Sequence, residues 1–291
     1  MNPFLKQVAD HYFKEGNIQR RCFIFPNRRS MLFFRKYLCE NVADSRENPI
    51  LAPQMLTIND LFLKASGARV ADRVRLLIDL YASYRELNPA AETLDEFIFW
   101  GDMMLGDFND VDKYLVDPVQ LFRNVSDYKE MQDDFSHLTP VQKAAINAFI
   151  KHFKDEAGRL TVHLDTDDPD VKGKFLQIWN IMLPLYENFN ALLDAKGLAY
   201  EGKVYRHLAY QLKNHSAEDI FAAVFPRVEK FVFVGLNALN EAEKTVLRKL
   251  RDASMAEFCW DWSGDMIRDP QNRSSFFMSD NVKEFPQAFS L

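Results

Sequence analysis

The chain has 291 residues, 47% hydrophobic and 27% charged, which is enough for one large domain or two smaller ones. Its formal net charge of −6 excludes a global basic field, so any nucleic-acid contact must come from a local patch. Three scattered cysteines (Cys22, Cys39 and Cys259) without a C-x-x-C speak against structural zinc and for a reducing compartment, with the cytoplasm as the expected location.

Lys6, Asp10, Lys14 and Glu15 interleave with apolar residues, so the chain is expected to open on an amphipathic helix and not on a signal peptide. No apolar run reaches membrane-spanning length, and no membrane association is expected. Cys22-Phe-Ile-Phe25 is a short apolar run suited to a strand buried on both faces. Pro26-Asn27 breaks it, and Arg28-Arg29-Ser30 opens a helix whose apolar side is Met31, Phe34, Leu38 and Val42. Pro49-Ile-Leu-Ala-Pro53 reads as a short extended piece, and Thr57 as a helix N-cap with Asp60 at N3.

From Arg69 to about Ala195 the pattern is almost entirely helical. One helix is expected over 70–87. Thr93 caps the next, with Glu96 placed for a capping box and Phe97, Trp100, Met104 and Phe108 at helical spacing. Thr139-Pro140 starts a third, with Pro at N1 and Gln142 at N3. Phe175, Ile178, Trp179, Met182, Tyr186, Phe189 and Leu193 form the cleanest stripe, and Gly197 stops it. The 25 phenylalanines fall mostly on helical faces and read as core.

Near Pro226 the character changes. Lys230-Phe-Val-Phe-Val234 is a second buried-type strand, 235–240 a turn, and 241–251 a helix with Ala242, Val246, Leu247 and Leu250 inward. Glu257-Phe-Cys-Trp260 is a third short strand. The tail from Asp269 has mixed polarity and no closing element, as expected of the front part of a longer protein. Two apolar strands far apart in sequence, each followed by a helix, predict one parallel α/β sheet. The expected division is 1–65 with 225–291 for the sheet domain and 66–224 for a helical insertion.

Together FIFPNRRSMLFFRKYL, PQMLTINDLF, the helical middle and FVFVGLNALNEAEKTVLRKL resemble the N-terminal part of AddB-type subunits of bacterial helicase–nuclease complexes. RecC is a more distant likeness. The resemblance covers most of residues 20–262. It implies a degenerate P-loop helicase-like α/β domain with a large inserted all-helical subdomain. It also implies partners: DNA, as double-strand ends or single strands, and a helicase–nuclease partner subunit. The PD-(D/E)XK nuclease domain of that family lies C-terminal to this region.

The departures from that pattern are chemical. An active motor needs a Lys and a Ser/Thr after a Gly-rich turn, where they hold the β/γ-phosphates and Mg²⁺. Here the turn reads Pro26-Asn27-Arg28-Arg29-Ser30, with no glycine between Gly16 and Gly67. The Asp-Glu pair that should end the second strand is replaced by Val234-Gly235-Leu236-Asn237. Pro26, Asn27, Gly235 and Asn237 therefore mark a degenerate nucleotide site, and no catalytic residue, metal or cofactor is expected. Glu241 and Glu243 read as charges favourable to a helix N-terminus. Arg28, Arg29, Ser30, Arg35 and Lys36 are the candidate DNA or phosphate contacts, because cations at a helix N-terminus oppose the dipole and invite an anion. The bland alternative is a solvated surface or an ion pair.

Other motifs carry less. Gln142 mimics a helicase adenine-contacting glutamine without the Gly-Lys-Thr turn that should follow. Pro169-Asp170 with Glu201-Gly202-Lys203 mimics a nuclease signature, but a strong helix lies between them. Asp165, Asp167, Asp168 and Asp170 lack the Gly and terminal Glu of a calcium loop. The six histidines show no ligand spacing. The expected role is a non-hydrolysing, DNA- or partner-binding domain of a double-strand-break repair subunit. Its rivals are the targeting domain of an exonuclease whose catalytic part lies beyond Leu291, and a pure docking scaffold.

Overall fold

The structure is a computed structural model that describes residues 3–45, 51–89, 91–122, 171–262, 265, 269, 271–272 and 276–289, the side chains of 171–180 excepted. Its elements, labelled in chain order, begin with α1 (Phe4–Glu15), β1 (Arg21–Phe25), α2 (Arg28–Ser45), β2 (Gln54–Thr57) and α3 (Ile58–Ser66). The helical stretch follows as α4 (Arg73–Leu87), α5 (Leu94–Lys113), α6 (Val171–Ala195), α7 (Glu201–Asn214) and α8 (Ala217–Val224). Then come β3 (Lys230–Val234), α9 (Glu241–Asp252), β4 (Ala256–Cys259) and α10 (Phe276–Glu284). The chain divides into two compact units, Met1–Ala68 with Val204–Leu291, and Arg69–Lys203.

The first unit is built on a four-stranded, all-parallel sheet in the order β2-β1-β3-β4. β1 is central, and all five of its residues are buried, as a strand covered on both faces requires. Successive side chains alternate between the faces. Phe23, Phe25, Val232, Val234 and Cys259 meet Val8 and Tyr12 of α1 and Phe34 and Leu38 of α2 in one cluster. On the other face Phe231 packs edge-on against Phe221 and Phe225, and Phe233 stacks on Phe258. The sheet is thus the middle of three layers.

The chain after α10 returns to the sheet. Ala288 N–H donates to the Phe258 carbonyl at 2.8 Å, and the Trp260 indole N–H to the Phe285 carbonyl at 2.8 Å. The Phe285 ring packs on Phe258 with centroids 5.0 Å apart.

The second unit is helical. Leu80, Phe97, Phe108, Leu185, Phe189, Leu193 and Tyr200 are buried together. Gly202 opens α7 against α5: a Cβ there would stand 2.6 Å from the Asn109 carbonyl oxygen, so only glycine allows the approach. Its N–H donates to Asn109 Oδ1 at 2.6 Å. Asp112 is fully buried and accepts from the Tyr186 hydroxyl at 2.5 Å and from the Tyr200 hydroxyl. Asp79, also buried, meets Lys196 Nζ at 2.7 Å and Arg75 Nε at 3.0 Å. Burial, with the nearby Asp110 charge, pushes the Asp107 carboxyl up to about 8.

The mixed α/β class, the pairing of β1 with β3 and the capping residues Thr57 and Thr93 match the sequence reading. Three details differ. The strand beside β1 is Gln54–Thr57, after the extended piece proposed at 49–53. The helix expected from Val70 starts at Arg73 with Asp72 as its cap, because Val70 forms a parallel bridge to Ala199 instead. The tail does contain a closing element, α10 and the segment after it. The division between units also falls elsewhere than expected: 204–224 group with the sheet. Tyr205 stacks on Phe62 at 3.9 Å, and α8 supplies the rings over Phe231.

Candidate functional site

Four parallel strands end at one edge of the sheet. The chain leaves β1 for β2 on one side and β3 for β4 on the other, so the strand order reverses between β1 and β3. In open α/β sheets ligands bind outside the carboxyl ends of the strands at such a reversal. Pro26 to Ser30 follow β1 there, and Gly235 to Asn237 follow β3.

The helices that start at this edge fall into two kinds by their N-termini. At α3 the Thr57 side chain accepts from Asp60 N–H at 3.2 Å, and Asp60 Oδ2 accepts from Thr57 N–H at 3.1 Å. At α9 Asn240 and Glu243 make the same reciprocal pair at 2.9 and 3.0 Å. Each of these helices therefore carries its own carboxylate where a bound anion would otherwise sit. At α2 the cap is neutral. Asn27 Oδ1 accepts from Ser30 N–H at 3.0 Å and from the Ser30 hydroxyl at 3.2 Å. The first turn of α2 has no acidic residue and presents Arg28 and Arg29 instead. Both are exposed, and neither guanidinium has a hydrogen bond or ion pair among the described residues.

The turn after β3 is enclosed by its surroundings. Gly235 takes φ +68°, and a Cβ there would lie 3.2 Å from the Phe4 ring. Its N–H donates to the Cys259 carbonyl at 2.8 Å. The Asn237 carbonyl accepts from Asn281 Nδ2 of α10 at 2.5 Å, and Asn281 is only 2% exposed. The site thus brings together a cation-rich helix start and a covered turn. Such an arrangement can attract an anion electrostatically through Arg28 and Arg29, while the Ser30 hydroxyl is engaged by Asn27.

Arg35 and Lys36 lie about two turns further along α2, both exposed. Lys36 Nζ is 3.8 Å from Glu40, an exposed i, i+4 pair that contributes little. Of the other motifs, Glu201 pairs with Lys113 at 2.6 Å and Lys203 with Asp194 at 2.8 Å, at the start of a helix and not on a strand. Gln142, Pro169-Asp170 and the acidic run 165–170 lie outside the described residues. Among the described residues no three His, Cys, Asp or Glu side chains gather as metal ligands, and no helix is long and apolar enough to cross a membrane.

Two features were not read from the sequence. Asn27 acts as the α2 cap, and Asn just before a helical run is the signal that would have found it. Leu32 and Phe33, which lie off the apolar side of Met31, Phe34, Leu38 and Val42, are exposed on α2. No protein-family model matches the chain, and no curated protein matches it.

Proposed function

We propose that this chain is a non-hydrolysing, helicase-like α/β domain of a DNA double-strand-break repair subunit, which binds DNA and a helicase–nuclease partner subunit. The observation that carries the reading is the contrast among the helix starts. Two hold their own carboxylates, and the one after β1 offers two arginines without partners among the described residues, at the edge where parallel sheets take ligands. The order of the FIFPNRRSMLFFRKYL, PQMLTINDLF and FVFVGLNALNEAEKTVLRKL segments supports it as a resemblance. Neither the turn 26–30 nor the end of β3 offers the Lys, the unengaged hydroxyl or the acid pair that phosphoryl transfer to water uses.

The test is fluorescence anisotropy on a labelled duplex with a single-stranded tail, over a salt series. Arg28→Ala with Arg29→Ala should weaken binding at low salt. It should flatten the slope of log K against log salt by about two units or slightly less, one for each phosphate no longer neutralised. Equal slopes for the double variant and wild type would remove this turn from the DNA path.

A further inference from the structure

We propose that the outer face of α2 is a docking site for an acidic, amphipathic segment of a partner protein. α2 buries one side only, through Phe34 and Leu38. Phe33 lies next to the buried Phe34 but faces outward. The outward arc carries Leu32 at 55% and Phe33 at 45% exposure. Single exposed apolar residues are ordinary, but two adjacent large ones are not spread singly. With Cys39 and the stems of Arg35 and Lys36 they line one depression of about 260 Å³.

The rim selects the occupant. Arg35 and Lys36 line the depression, Arg28 and Arg29 lie one turn before Leu32 and Phe33 on the same helix, and Glu40 is the acid beside Lys36. In a chain of net charge −6 this is a local reversal of sign. Charge complementarity therefore favours an acidic partner. The apolar floor asks for leucine- or phenylalanine-type anchors, the pattern of an amphipathic helix seated in a groove. A single-stranded nucleic acid would satisfy the cations but would find one ring, Phe33, and no π face on Leu32 or Cys39. The site goes beyond the DNA contact proposed above and does not depend on it.

The probe is a labelled synthetic helical peptide with leucines at i, i+3, i+4 and i+7 and glutamates on its flanks. A lysine-for-glutamate counterpart and a single-stranded oligonucleotide run beside it, and all are titrated to millimolar concentration. The glutamate peptide should bind and the lysine peptide should not. Leu32→Ala with Phe33→Ala, and separately Arg35→Glu with Lys36→Glu, should each weaken binding about ten-fold or more. A second readout needs no variant. Cys22 and Cys259 are buried, with thiols pushed up to about 12 by burial, while Cys39 is exposed. Bound peptide should slow alkylation of Cys39. The proposal is overturned if the peptide does not bind, or if neither double variant weakens it. It is equally overturned if Cys39 reacts at the same rate under saturating peptide, or if only the oligonucleotide binds and loses affinity with Leu32→Ala and Phe33→Ala.

Discussion

The sheet unit and the helical unit join distant parts of the chain with different groups. In the sheet unit Arg21 to Ile24 meet Lys230 to Phe233 through backbone hydrogen bonds, and the side chains alternating between the buried faces select the register. On one face of the sheet those side chains are apolar, as Phe23, Phe25, Val232 and Val234 are. In the helical unit the backbone groups of the helices are spent inside each helix, the Val70–Ala199 bridge joins two connecting segments, and apolar packing is non-directional. Between the helices, directional contacts involve polar side chains: Asp112 with Tyr186 and Tyr200, Asp79 with Lys196, and Asn109 with the Gly202 N–H. Buried polar side chains occur in both units, Arg21, Thr57, Glu243 and Asn281 in the first and Asp79, Ser83, Asp107 and Asp112 in the second, so the units differ in which group carries the link between distant elements.

The strongest way to break that comparison is Phe34→Ala. Phe34 is fully buried, with its ring 4.7 Å from Phe23 and 5.2 Å from Phe25. Its loss should cost about 3–5 kcal/mol, as for other buried aromatics truncated to alanine. Urea unfolding gives the size, and hydrogen exchange gives the place. Protection should fall over β1 and β3, and an equal fall over α5 would contradict independent fixing of the two units.

Asp112→Asn sharpens the other side. One amide oxygen cannot replace two carboxylate oxygens, so a buried tyrosine hydroxyl loses its acceptor, at about 1–3 kcal/mol. The loss of exchange protection should centre on α5 and α6. An unchanged urea midpoint would mean that the apolar cluster alone aligns these helices.

Asp107→Asn is read against pH, with no effect expected near pH 4. The folded carboxyl titrates at about 8, far above its ordinary range, because burial disfavours the anion. Between about pH 4 and pH 8 the folded state thus holds a proton that the unfolded chain has released, and stability falls as pH rises through that window. The slope is about 1.4 kcal/mol per pH unit for one proton. Asp107→Asn should remove that slope, so that its melting temperature exceeds wild type near pH 8 and approaches it near pH 4. Parallel curves for the two proteins would show that Asp107 is ionised in the folded state.

The strands β1 and β3 were legible because double-sided burial writes continuous apolar runs, FIF and FVFV. β2 was not, because Gln54-Met-Leu-Thr57 sits at the sheet edge with only Leu56 and Thr57 buried, while two flanking prolines drew the extended reading upstream. α10 hides its pattern in reverse: Phe276 and Phe277 are exposed, and the buried positions are Met278 and Asn281. Asn281 is inside because it donates to the Asn237 carbonyl, a contact that no local spacing encodes. At the candidate site Arg28 and Arg29 were visible as residue types. Their meaning depends on the carboxylate caps of Asp60 and Glu243 at the neighbouring helix starts, which only the parallel topology brings to one edge.

The return of the chain after α10 also has a practical side. β4 would be the outer strand of the sheet if nothing lay beside it, and a bare parallel strand is a template for other chains. Ala288 takes the Phe258 carbonyl, and Phe285 shields the Phe258 and Trp260 rings. On that principle the segment should guard the edge against self-association. A fragment cut before Phe276 would uncover an aromatic edge and should come out of expression as clumped material, while one that keeps the guard should stay dispersed.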